Sequence, residues 1–273
     1  MSDIKTHAVR EFHDNADTDD FHVEEIRNIG YTVVDSGLSH DDLEVFRRKI
    51  DGIYAEQVRE IGGETRLKGM HDAHLARCLI GYDDAFMQLA AHPRLITIAT
   101  RVLGENFILM SQNGILNQSN DEHYQSTWHR DLNYQHFVSS RPLALSALYC
   151  IDEFSAETGG TFLIPASHKS EMFPSKDYVV AQERQVSARA GAILIFDAMV
   201  YHRSGHNRSG RVRRAVNHIF TLPLIKQQIS FPKMLQGRFS DDPFLRKLLG
   251  YDTETGESVQ QWRERKLRAA GIA

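Results

Sequence analysis

Residues 127–137, TWHRDLNYQHF, place His129 and Asp131 two positions apart, between a tryptophan and a tyrosine. On an extended segment, side chains two apart leave the same face, roughly 7 Å from each other along the strand, so an imidazole nitrogen and a carboxylate oxygen can converge on one cation. Such a pair supplies two of the three donors of a 2-His-1-carboxylate face. The tripeptide alone is common, so the chemistry needs a third donor. His202, within IFDAMVYHRSGHNRSGRVRRAVNHIF, meets that need best, because it follows a short turn after the apolar run 192–196 and can reach back into the mouth of a β-structure. His206 is the rival, four residues on.

Arg213 tips the choice towards His202. It lies eleven residues further on, along the strand that should pair next, and the period of two puts Arg211, Arg213, Ala215 and Asn217 on one face. Ala215 and Asn217 are small enough to leave room inside. An inward arginine is costly unless an anion meets it.

The elements that must hold these residues are legible in outline. SHDDLEVFRRKIDGIYAEQVREIGG, from Ser39, has an N-cap serine, acidic residues in its first turn, apolar positions at helical spacing and a glycine stop, and predicts an amphipathic helix. A second helical stretch over 84–103 breaks at His92-Pro93, where the proline opens a fresh first turn and Gly104 caps the end. Beyond it come short apolar or alternating runs: FILMSQNGIL, PLALSALYCI, GGTFLIPASH, GAILIFDAMVYH and RVRRAVNHIFTL. Strands at such spacing predict a sandwich or barrel instead of a βαβ sheet. DPFLRKLLG and SVQQWRERKLRAAG read as two further helices. The expectation is one domain over 1–273: a loose polar arm at 1–20, a mainly helical part at 21–104, a β core at 105–222 and a helical tail at 223–273.

Three blocks in order, HRDLNY at 129–134, TGGTFLIPASHK at 158–169 and HRSGHNRSGRVRR at 202–214, resemble the phytanoyl-CoA dioxygenase-like family of iron(II)- and 2-oxoglutarate-dependent oxygenases. The resemblance spans about 107–220. It implies a mainly β fold with flanking helices around a double-stranded β-helix, the cupin-like jelly roll. It implies Fe(II) on His129, Asp131 and His202, and 2-oxoglutarate with its far carboxylate on Arg213, helped by Ser204. With O2, an unactivated C–H bond of a small polar metabolite would be hydroxylated, releasing succinate and CO2. Gln112 and Asn117 lie near positions where the family places polar contacts to the co-substrate, and Asn133, Tyr134 and His136 follow the metal pair towards the substrate mouth. Asp131 favours hydroxylation, because halogenating relatives carry alanine or glycine there. Ser167, His168 and Trp128 are read as structural, while Phe162 and Ile164 are read as barrel filling or pocket wall.

Two other readings use the same residues. A cupin-like isomerase or hydrolase would need the metal but have no use for Ser204 and Arg213, and a non-catalytic barrel scaffold would need neither. The net charge of -4 argues against a phosphate-driven nucleic-acid partner. Two distant cysteines suit a reducing compartment, and neither a secretory leader nor a membrane span is apparent, so a cytoplasmic protein is expected. A homo-oligomer is left open by the charged C-terminal helix.

Overall fold

Alternating side chains along four long strands separate a helical layer from an internal cavity. The structure is a computed structural model, and it describes residues 17–121, 124–132 and 134–272; most of the expected arm, 1–16, lies outside that range. The strands are β1 (Tyr31–Asp35), β2 (Leu75–Arg77), β3 (Ile108–Asn117), β4 (Ala144–Cys150), β5 (Phe162–Leu163), β6 (Arg184–Gln185), β7 (Ala192–Asp197), β8 (His202–Arg203) and β9 (Arg213–Thr221). Around them lie α1 (Thr18–Ile29), α2 (His40–Ile61), α3 (Glu64–Gly69), α4 (Leu79–Tyr82), α5 (Met87–Ala90) and α6 (Pro93–Leu103). α7 (Lys176–Gln182), α8 (Phe231–Leu235), α9 (Pro243–Leu248) and α10 (Val259–Ala269) follow.

Local chemistry explains the principal helices. Ser39 accepts from the Asp42 amide while the Asp42 carboxylate accepts from the Ser39 amide, which closes a capping box on α2. Gly62 ends that helix in the left-handed conformation. Pro93 stands in the first turn of α6 and Gly104 follows its end, where the sequence placed them. α9 and α10 form in the two expected tail segments. α1, however, begins at Thr18, inside what reads as a loose arm, because Asp17 accepts from the Asp20 amide and caps it.

Six antiparallel strands form a major sheet in the order β1-β7-β4-β9-β3-β2, and β6-β5-β8 form a minor one. Every residue of β3, β4 and β7 is buried; β4 and β7 therefore read as nearly continuous apolar runs, whereas β3 also buries Ser111, Gln112, Asn113 and Asn117. One face, with Ala147, Tyr149, Ile193, Ile195, Val216 and Phe220, packs beneath the α2 and α6 side chains Phe46, Ile50, Leu95 and Ile98. The other face, with Ile115, Leu148, Cys150, Leu194, Phe196 and Ala215, meets Leu163 from the minor sheet and Val186 just after β6. This is the jelly-roll arrangement of two facing sheets, and among the described residues the sheets do not close into a barrel. β1 and β2 come from the mainly helical part and become the two edges of the major sheet.

Candidate metal centre

His129 and His202 lie more than seventy residues apart, yet each backbone amide donates to the other's carbonyl at 3.0 Å. Asp131 is tied in next to them, its amide donating to the Ala198 carbonyl at 3.0 Å. One ligand atom from each of the three residues lies within 4.8 Å of the other two. Asp131 Oδ1 is 3.5 Å from His202 Nε2 and 4.0 Å from His129 Nε2.

The protonation pattern suits a cation. His129 Nδ1 donates to the Thr127 carbonyl at 2.8 Å, and His202 Nδ1 to the Val200 carbonyl at 3.0 Å. A carbonyl only accepts, so both Nδ1 atoms carry a proton and both Nε2 atoms face the site. Burial alone would lower His202, but the Asp131 carboxylate outweighs it and raises the group, so a cation binding there takes the place of a proton on Nε2. Burial, reinforced by His202, pushes His129 down to about 4, so it stays neutral. Burial alone would raise the Asp131 carboxyl, but His202, His129 and the Ser146 hydroxyl outweigh it and hold the group below the ordinary range. Ser146 donates a short hydrogen bond to Asp131 Oδ2, which fixes the carboxylate and leaves Oδ1 to the metal. Two neutral imidazoles and an ionised carboxylate are the donor set of a non-haem iron(II) face.

Arg213 closes the inner end. Its guanidinium is buried at 2% exposure, donates to the Gly159 carbonyl (2.9 Å) and Ser204 Oγ (3.0 Å), and lies 4.3 Å from the centre of the Phe154 ring. Nε has no partner, and among the described residues no carboxylate forms an ion pair with it. Burial lowers it to about 10, which still leaves it charged at neutral pH. A buried cation without an anion is expensive, and a ligand carboxylate would supply what it lacks. Gly159 has φ +74, and a Cβ on it would stand 2.5 Å from the Gly205 carbonyl oxygen, so glycine is required where this anchor passes β8.

The residues expected from the sequence divide clearly. His129, Asp131, His202, Ser204 and Arg213 line one cavity of about 360 Å³, open mouth included. Asn117 sits just behind it, donating to the Gly205 carbonyl at 2.9 Å and to Ser204 Oγ at 3.4 Å. Gln112 is not brought there. It lies on the helical face of β3, where its carboxamide accepts from the Ile80 amide, donates to the Phe86 carbonyl and pairs with His218. Tyr134 is exposed and stacks on Phe137, His136 is an edge neighbour of Tyr134, and neither lines the cavity. Asn133 lies outside the described residues. Trp128 packs against Ile164, Val179 and Tyr201, and Ser167 accepts from the Tyr201 amide, so both serve the scaffold. Phe162 stacks under Arg203 and Ile164 is core, while Thr161, on the other face of that segment, lines the cavity. Ser146, Thr161, Gln125 and Phe196 are site residues that sequence reasoning missed. A serine within the apolar run PLALSALYCI was the available signal for the first.

Comparison with known proteins follows this geometry. The family model described as phytanoyl-CoA dioxygenase (PhyH) matches residues 26–215. An uncharacterised protein of Mycobacterium tuberculosis is 31% identical over 212 residues, covering 76% of this chain and 77% of that one. The dioxygenase olcK of Penicillium canescens is 27% identical over 192 residues, covering 65% and 61% respectively. Among solved structures, EctD from S. alaskensis with 2-oxoglutarate and 5-hydroxyectoine superimposes with a TM-score of 0.62 at 16% identity, over 76% of this chain and 77% of that one. The non-heme alpha ketoglutarate dependent carbocyclase SnoK from nogalamycin biosynthesis gives 0.56 at 19%, over 74% and 83%. Likeness at these identities is a likeness of fold.

Proposed function

The chain belongs to the phytanoyl-CoA dioxygenase family, of the iron(II)- and 2-oxoglutarate-dependent kind, and we propose that it hydroxylates a C–H bond of a small polar metabolite, with release of succinate and CO2. The observation that carries the reading is the pairing of a three-donor face with a buried arginine that has no carboxylate of its own.

In this reading His129, Asp131 and His202 hold the metal and Arg213 with Ser204 holds the far carboxylate of 2-oxoglutarate. When bound, iron(II) with 2-oxoglutarate and dioxygen supplies the oxidising chemistry, one oxygen atom ending in succinate and the other in the hydroxylated product. The chain's own work is placement. Thr127 and Val200 fix both imidazole tautomers through their carbonyls, and Ser146 fixes the carboxylate. Ile115, Leu148 and Phe196 give the cavity apolar walls that exclude water, while Thr161 and Gln125 add polar groups suited to a polar substrate. A metal-dependent isomerase or hydrolase would leave Arg213 without a task.

Anaerobic addition of iron(II) and 2-oxoglutarate to the full chain tests the reading. A visible charge-transfer band is expected, followed by succinate formation when air is admitted, and His129→Ala should abolish both. A metal-loaded protein that shows no band and no affinity for 2-oxoglutarate would overturn the proposal.

A further inference from the structure

β9 carries Arg213, Ala215 and Asn217 in succession on the face that lines the cavity. The register fixes where Asn217 stands. It is opposite Leu148 on β4, one pleat from the Ser146–Ile219 pair, and Ser146 is the residue that holds the Asp131 carboxylate. Arg213 is two pleats away in the other direction. Asn217 therefore lies along the path between the arginine and the metal face, nearer the metal.

It stands apart among the side-chain amides of the described residues. The neighbouring amides have partners: Asn113, directly opposite, accepts from the Cys78 amide, Asn117 donates to Gly205 and Ser204, Asn207 to the Asn117 and Arg211 carbonyls, and Gln112 bonds to Ile80, Phe86 and His218. Asn217 Oδ1 is buried with no partner, although the side chain borders the cavity. A buried amide left unsatisfied costs stability and offers the fold nothing in return. Turning the carboxamide end for end places its NH2 where the oxygen stands, so the group can donate as readily as accept.

We propose that Asn217 is a co-substrate-binding residue, its carboxamide donating to the 2-oxo acid end of 2-oxoglutarate while Arg213 takes the other end. The inference rests on the function proposed above. It assigns Asn217 to the co-substrate, not to the prime substrate, because the residue lies between the two anchors that the co-substrate must span. It also gives a task to an amide that stands between Leu148 on β4 and Asn113 on β3.

The test uses the full chain loaded with Mn(II) under conditions without turnover, and measures binding of 2-oxoglutarate and of pyruvate, a 2-oxo acid with no far carboxylate, by calorimetry. For Asn217→Ala, affinity for both ligands should fall about tenfold, the loss of one hydrogen bond to a charged group. Arg213→Leu should weaken 2-oxoglutarate and leave pyruvate unchanged. Asn217→Asp, which keeps the shape and adds a like charge, should weaken both ligands further. In Asn217→Ala the Mn(II) affinity should be unchanged and the melting temperature of the metal-free protein should hold or rise, whereas loss of a residue serving only the scaffold would lower it. Affinities within twofold of wild type in both Asn217 variants would overturn the assignment. A wild-type protein that binds Mn(II) but no 2-oxo acid would overturn the functional reading, and this inference with it.

Discussion

Ser146 shows how one hydroxyl can govern a metal site. It fixes Oδ2 of Asp131 and so determines which oxygen faces the two imidazoles. Ser146→Ala should lower metal affinity about tenfold, by analogy with other groups that orient a metal ligand. Competition against a coloured chelator measures this, and unchanged affinity would show that the carboxylate needs no orientation. At this scale the sequence was most informative where spacing and parity act together. His129 with Asp131, and Arg213 with Asn217, are placed by the period of two. The same rule could have removed Gln112: positions 112 and 117 differ by an odd number, so a regular strand cannot turn both into the cavity. Asn117 faces the Ser204 corner and Gln112 the helices. Thr161 was hidden because β5 is only two residues long and shows no alternation.

The turn before β5 and the segment after β8 meet through glycines, and the site depends on that contact. Gly159→Ala would impose a left-handed φ on alanine and drive its Cβ into the Gly205 carbonyl, shifting residue 159 and with it the residue-159 carbonyl that accepts from Arg213. The variant should be destabilised by about 1–3 kcal/mol, and its KM for 2-oxoglutarate should rise more than its kcat falls. Steady-state kinetics beside a thermal melt reads both, and a normal KM in a folded variant would disprove the coupling. Elements with their own start and stop chemistry were legible: α2 with its capping box, α6 with Pro93, β4 and β7 as apolar runs, and β3 and β9 as mixed or alternating ones. β1 and β2 were not, because strands of five and three residues at the sheet edges owe their form to pairing with β7 and β3. α1 escaped because its stripe, with only Val23 and Ile26 buried, is thin among charged residues.

Across the whole molecule, stability should carry the mark of Asp197, at the end of β7. Burial pushes its carboxyl up to about 6, partly offset by the hydrogen bond from the Met199 amide and by Arg130. The folded state therefore binds a proton more tightly than the unfolded chain, whose carboxyl has the ordinary value of 3.8. The cost of ionising it in place is absent below about pH 4, grows between 4 and 6, and is complete above that, at most about 3 kcal/mol. Asp197→Asn, which keeps an acceptor for Met199, should be more stable than wild type at pH 7.5 and indistinguishable from it near pH 4. Denaturant midpoints across this range decide it, and a gap that does not change with pH would contradict the argument. The layering, helices over one face of a sheet and a cavity under the other, followed from strands apolar on both sides. That the two sheets stay open at their edges depends on strand lengths that no local pattern announces.

The reciprocal amide-to-carbonyl pair joining His129 to His202 links two chain segments through bonds in which no ion takes part. Peptide bonds and packing thus pre-assemble the coordination sphere, and the cation need not recruit its ligands from a disordered chain. Stripping and reloading a metal at the proposed centre should then be local events, with little conformational entropy to lose. The energy of metal capture then remains available for grip and selectivity instead of being consumed in building the protein.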